Sequence, residues 1–328
     1  MRRAARAGGA VLLVAVALAI GWVPLPLFAL GPGPAREIGP LIHVEGTPTH
    51  GSSGHLVMTT VRFTKLTPLG AFVTWLDPDR SVVGEDVLYP PGLTPAEEDR
   101  RAISQMDQSK IDAASVVLTE LVDYPDRHAP GALIEAVGEG CPADRRLFPG
   151  DVITRIDGET IDSRREASRL IDAVPEGRPI AFQVETDGRS RDVTIARGPC
   201  PGTDEPRLGI ALVAAFPLDI TIRSGDVGGP SAGLMWAIGL YEALTPGDLT
   251  RGRTIAGTGA IDLDGNVGPI GGIGDKVVAA REIRADVLLI PRENLAEVRG
   301  VDAGETRVIP VSTFDEAVRA LEAIGTES

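Results

Sequence analysis

The sequence predicts an α/β (α+β) chain of two globular units behind an N-terminal transmembrane helix, and three observations carry that expectation. Gly8 to Leu30 contains no charged residue. Residues 128–200 alternate short β-branched runs with Pro-Gly and Asp-Gly turns around one helical stretch. Residues 201–328 alternate strand-like and helix-like runs. Four segments follow: a cytoplasmic tail and anchor over 1–31, a linker and N-terminal segment over 32–127, a small β-rich unit over 128–200, and a mixed domain over 201–328. A chain of 328 residues with 43% hydrophobic content is long enough for two cores.

The chain begins MRRAAR and continues GGAVLLVAVALAIGWVPLPLFAL. At about 1.5 Å per residue a helix over this stretch reaches roughly 33 Å, enough to cross a bilayer's hydrocarbon. Arg2, Arg3 and Arg6 favour the cytoplasmic side, so everything after residue 31 is expected outside the cell membrane as a single-pass protein. A cleaved signal peptide is the alternative; the length of the run and the lack of a clear A-x-A site favour the anchor. Gly, Pro and Thr over 31–50 suggest a juxtamembrane linker. HLVMTTVRF predicts a strand, PLGAFVTWL a short helix, and residues 94–122 a long amphipathic helix with an acidic first turn. No chemistry is legible in 31–127.

In the next unit GALIEAVGEG predicts a strand and turn, and LFPGDVITRIDGETI a second strand with turns at Pro149-Gly150 and Asp157-Gly158. Ser163-x-x-Glu166 is a capping box for the helix REASRLIDAV, and PIAFQVETDGRSRDVTIAR closes the unit as a hairpin around Asp187-Gly188. These residues, LFPGDVITRIDGETI above all, resemble a bacterial-type PDZ domain. PDZ domains bind extended peptides by adding a strand to their sheet. The resemblance maps the carboxylate-binding loop to GALI, that is Gly131, Ala132, Leu133 and Ile134, which departs from the family's more usual G-[LF]-G-[FLI]. The alternative is a module that only docks the catalytic domain.

From Leu208 the pattern runs strand (GIALVAAF), strand (LDITIR), loop (SGDVGGP), helix (SAGLMWAIGLYEAL) and strand (RTIAGTGAI). An Asp264-Gly265 turn, NVGPI and a Gly-rich step lead to a helix (DKVVAAREIR), a strand (DVLLIP), a helix (ENLAEVR), a strand (RVIPV) and a last helix capped by Thr313-x-x-Glu316. Ser231 stands where a helix begins, so backbone N–H groups and the positive dipole end face any anion formed there. Gly228, Gly229 and Gly233 leave room for another backbone, although Ser is also a common N-cap. The four histidines, His43, His50, His55 and His128, all precede residue 129, which rules out a Ser-His-Asp triad within this segment. A lysine is the remaining candidate base. Only Lys65, Lys110 and Lys276 occur among 32 basic residues, and Lys276 is the one lysine after residue 110. Arginine serves surface charge equally well but cannot surrender its proton, whereas a partly buried lysine at a helix start has a lowered pKa.

GPSAG at 229–233, TGAIDLDGNVGPIGGIGDK at 258–276 and the following VVAAREIRADVLLIP resemble the proteolytic domain of Lon proteases. That family uses a Ser-Lys dyad, which maps to Ser231 and Lys276, with Thr258 as the residue supporting the amine. The family's Asp before G-P-S is Gly228 here, and its Glu after T-G is Ala260. No G-x-x-x-x-G-K-[ST] string occurs, so neither ATP nor an ATPase module is expected. The anchor, the PDZ unit and the Lon-type domain together resemble membrane-anchored PDZ/Lon-type serine peptidases. The resemblance implies an ATP-independent endopeptidase acting on flexible or PDZ-presented proteins outside the membrane, with no cofactor or metal, and allows a homo-oligomer. A non-enzymatic membrane-tethered PDZ adaptor is the alternative. A net charge of −14 argues against nucleic acid as a partner.

Overall fold

The computed structural model describes residues 21, 23–77, 79–89 and 92–324. Its first half builds strands β1 (Leu27–Pro32), β2 (Arg36–Glu37), β3 (Ile42–Glu45), β4 (His55–Met58) and β5 (Val61–Lys65), helix α1 (Pro68–Trp75), strand β6 (Ser81–Gly84), and helices α2 (Glu85–Leu88) and α3 (Pro95–Val122). Thr94 and Glu97 close a reciprocal capping box at the start of α3, with Pro95 at its first position. Asp123, in the left-handed region, ends it.

The PDZ-like unit follows: β7 (Ala129–Val137), β8 (Val152–Ile156), β9 (Glu159–Thr160), α4 (Arg164–Ala173), β10 (Pro179–Thr186), β11 (Arg189–Ala196), β12 (Gly198–Cys200) and β13 (Thr203–Arg207). Ser163 caps α4, and the Asp187-Gly188 turn joins β10 to β11 in register. Cys141 and Cys200 are joined in a disulfide, a pairing the sequence leaves open.

The chain then runs through β14 (Ile210–Ala215), β15 (Asp219–Ile222), α5 (Gly233–Leu244), β16 (Thr254–Gly257), β17 (Ala260–Ile261), β18 (Val267–Gly268), α6 (Ile273–Glu282), β19 (Val287–Pro291), β20 (Arg307–Val311) and α7 (Phe314–Ile324). The expected helix ENLAEVR is a short 3-10 turn over Arg292–Ala296.

The central sheet has the order β2-β4-β16-β19-β20, with β4, β16, β19 and β20 parallel. Both of its faces are covered, which is why its strands are continuously apolar rather than alternating. In β19, Val287 and Leu289 pack toward the core shared with Trp236 of α5 and Phe314 of α7. Leu288 and Ile290 pack on the opposite face with Ile273 and Val277 of α6.

The expected boundary at residue 127 gives way here. β4 is an interior strand of the central sheet, and Ile38, Leu56, Met58, Met106 and Val117 share one core with Leu234, Trp236 and Leu289. Parts of the stretch expected as a linker and N-terminal segment are therefore built into the C-terminal unit's sheet and core. The PDZ-like unit is an insertion between α3 and β15. It also ends later than residue 200, because β14 joins its sheet beside β7.

Gly8 to Ile20, most of the expected anchor, lies outside the described residues. The end of that apolar run is not helical. After Pro24 and Pro26, Leu27–Pro32 forms β1, paired with β5 and β6. Among the described residues no helix is long and apolar enough to cross a membrane.

Candidate active site

The loop before α5 is held from α3 and from the end of β16. Gly229 (φ +84°) donates its N–H to the carbonyl of Ala102 at 2.7 Å, and Ser109 Oγ donates to the carbonyl of Pro230 at 3.1 Å, both from α3. Gly259 N and Thr258 Oγ1 donate to the carbonyl of Ser231 at 2.8 and 2.9 Å from the end of β16. A Cβ at Gly233 would lie 2.8 Å from both Ile261 and Ser109 Oγ, so glycine is what lets α5 begin this close to β17 and α3.

Lys276 reaches the same point from the first turn of α6. Its Nζ lies 2.7 Å from Ser231 Oγ and 2.8 Å from Thr258 Oγ1. The side chain is 2% exposed. Burial is the cause that moves its pKa, from 10.5 down to about 8. Thr258 is itself buried. Its hydroxyl accepts from the amine and donates to the Ser231 carbonyl, which fixes the amine beside Ser231 Oγ.

The arrangement therefore brings Ser231, Lys276, Thr258 and Gly229 together. A hydroxyl is in hydrogen-bond contact with an amine that is partly neutral near pH 8, at the N-terminal end of a helix. Two positioning elements are not legible in the site motifs themselves. One is the α3 face carrying Ala102 and Ser109. The other is buried Asn294, which accepts from Ile270 N at 2.9 Å and donates to Ile270 O at 3.0 Å, pinning the Gly-rich step before Lys276. An Asn in a run otherwise suited to a surface helix was the available signal.

Gly131, Ala132, Leu133 and Ile134 lie elsewhere, on β7. Gly131 (φ +108°) turns the strand where a Cβ would sit 3.0 Å from the carbonyl oxygen of Ile153. The edge at which an added peptide strand would pair is already filled: β14 runs antiparallel along β7, with Leu212 opposite Ile134, Val213 opposite Leu133 and Ala214 opposite Ala132. Ile210 and Leu212 pack on the PDZ-like core, and Arg164 of α4 donates to the carbonyl of Leu212 at 3.4 Å. The expected open loop is thus occupied by the chain's own next strand.

Residues 210–323 match the model of the Lon protease (S16) C-terminal proteolytic domain, and residues 105–196 match the PDZ domain model. A Lon protease of Campylobacter concisus is 31% identical over 184 residues, covering 52% of this chain and 22% of the relative. A Lon protease of Chloroflexus aurantiacus is 41% identical over 93 residues, covering 27% of this chain and 11% of the relative. The chain thus spans about a fifth or less of the length of these relatives.

Proposed function

We propose that this chain, a Lon-type proteolytic domain carrying an inserted PDZ domain, is a serine endopeptidase with Ser231 as nucleophile and Lys276 as general base. The observation that carries the reading is the 2.7 Å contact between Lys276 Nζ and Ser231 Oγ in a site where burial brings the amine to about 8. Near pH 7 about a tenth of such an amine is neutral, against less than a thousandth of a free lysine. The neutral amine accepts the Ser231 proton as Oγ attacks the scissile carbonyl, then returns it to the leaving amine. The backbone N–H groups of Ser231 and Ala232, just before α5, stabilise the oxyanion, those of Gly233 to Trp236 being engaged with carbonyls, and Thr258 holds Lys276 in line. Water then releases the acyl group, and no nucleotide enters the chemistry.

The substrates are polypeptides that are already flexible, since β14 fills the edge beside β7 at which the PDZ unit would pair with a peptide. An extracytoplasmic site, with the chain tethered through its N-terminal apolar run, is supported by Arg2, Arg3 and Arg6 before that run and by the Cys141–Cys200 disulfide, which persists in an oxidising compartment.

The test is cleavage of a flexible fluorogenic peptide together with labelling by a serine-directed phosphonate. Wild type is cleaving and labelled; Ser231→Ala loses both, and Lys276→Arg loses turnover. Retained turnover in either variant refutes the mechanism, and an unlabelled wild type favours an adaptor.

A further inference from the structure

Beside the nucleophile loop is a cavity of about 470 Å³ that the chemistry above leaves unused. Pro230, the residue before Ser231, forms part of its wall. Asp112 and Gln108 face it from α3, Glu135 from β7 of the PDZ domain, and Asp262 and Asp264 from the loop after β17. Four carboxylates and no basic side chain line it.

Two of the acids are engaged. Glu135 accepts from Gln108 Nε2 at 3.1 Å, and Asp262 accepts from the backbone N–H groups of Asp264 and Asn266. Asp112 differs. It is 6% exposed, and its Oδ1 has no hydrogen-bond partner among the described residues. Burial first, then the charges of Glu135 and Asp262, push it up to about 7. A buried carboxylate oxygen without a donor is costly. Walls of one charge concentrate a ligand of the opposite charge.

We propose that this cavity binds the cationic side chain of an arginine or lysine close to the scissile bond of the polypeptide being cleaved, with Asp112 as its buried counter-charge. The inference rests on the endopeptidase reading and narrows its substrate class. Arginine suits the site better than lysine, because its planar fork of donors can reach Asp112 and a rim carboxylate at once. Since Glu135 belongs to the PDZ domain and Asp262 to the proteolytic domain, the bound cation also bridges the two.

The experiment measures binding apart from turnover. Full-length Ser231→Ala is titrated at pH 8 with labelled flexible peptides that carry a single arginine at successive positions, each against its citrulline twin, which keeps the shape and removes the charge. At least one position is expected to bind tenfold or more tightly as arginine. Asp112→Asn in the same background should reduce that ratio to twofold or less. Glu135→Gln, a change at the rim, should lower it a few-fold and guards against a misfolded Asp112 variant. Equal affinities for arginine and citrulline at every position overturn the proposal, as does a ratio that survives Asp112→Asn. Cleavage of the same peptides by wild type separates the two readings. Selective binding without cleavage leaves the cation site standing and removes the peptidase; cleavage without selectivity does the reverse.

Discussion

Replacing Lys276 with methionine separates the role of the amine in catalysis from its effect on the fold. Burial lowers the lysine pKa from 10.5 to about 8, so the folded state binds this proton less tightly than the unfolded chain. At pH 7 the buried charge therefore costs about 3 kcal/mol. The cost fades as pH rises from about 8 toward 10.5, where the amine is neutral in the folded state but still charged in the unfolded one. By pH 10 about 2.5 kcal/mol of it is recovered. Methionine fills a similar volume without the charge but forfeits the contacts to Ser231 and Thr258, each worth about 1 kcal/mol. Lys276→Met should thus be more stable than wild type by about 1 kcal/mol at pH 7 and less stable by roughly 1 to 2 kcal/mol at pH 10, while cleaving nothing at either pH. Urea denaturation followed by the fluorescence of buried Trp236 reads the difference within the proteolytic core. A stability gap that stays constant from pH 7 to pH 10 would show that Lys276 carries its ordinary pKa, and the argument for it as a base would fall with it.

Three further outcomes are expected. The kcat/KM of wild type should rise about tenfold per pH unit below pH 8 and level off above it, because only the neutral amine accepts the Ser231 proton; a flat profile from pH 6 to 9 contradicts this. Met58→Ala, at a 1% exposed position of β4, should cost about 2 to 5 kcal/mol in the Trp236-reported transition; an unchanged midpoint would detach the N-terminal segment from the proteolytic core. The double change Cys141→Ser and Cys200→Ser opens a link between residues 59 apart and should destabilise the PDZ domain by about 4 kcal/mol, seen as faster amide exchange in β8 and β10.

The pairing of Ser231 with Lys276 is legible in the sequence to a degree that the domain division is not. A single lysine in a long stretch that otherwise uses arginine, and a serine between glycines at a helix start, are local signals, and the structure sets Lys276 and Ser231 in contact. The turns at Asp157-Gly158 and Asp187-Gly188 and the caps at Ser163 and Thr313 are equally local. The partner of β4 is not local. HLVM reads as a strand, but its pairing with Thr254–Gly257 lies on the far side of an entire inserted domain, and no periodicity records it. The same limit hid the filled groove. GIALVAAF carries the apolar run of a strand buried on both faces, which suits either unit, and only the register against Val137–Ala129 assigns it to the PDZ sheet.

The insertion also sets a timetable for biosynthesis. His55 to Met58 emerge early from the ribosome, yet their neighbours at Thr254 to Gly257 are synthesised only after the whole PDZ domain has appeared. The PDZ strands β7 to β11 contact one another over short separations and can close first, while the earlier segment waits with apolar residues such as Leu56 and Met58 unsheltered. Ser231 and Lys276 cannot meet until most of the polypeptide has been made, so a chain still under synthesis does not yet hold the contact between them.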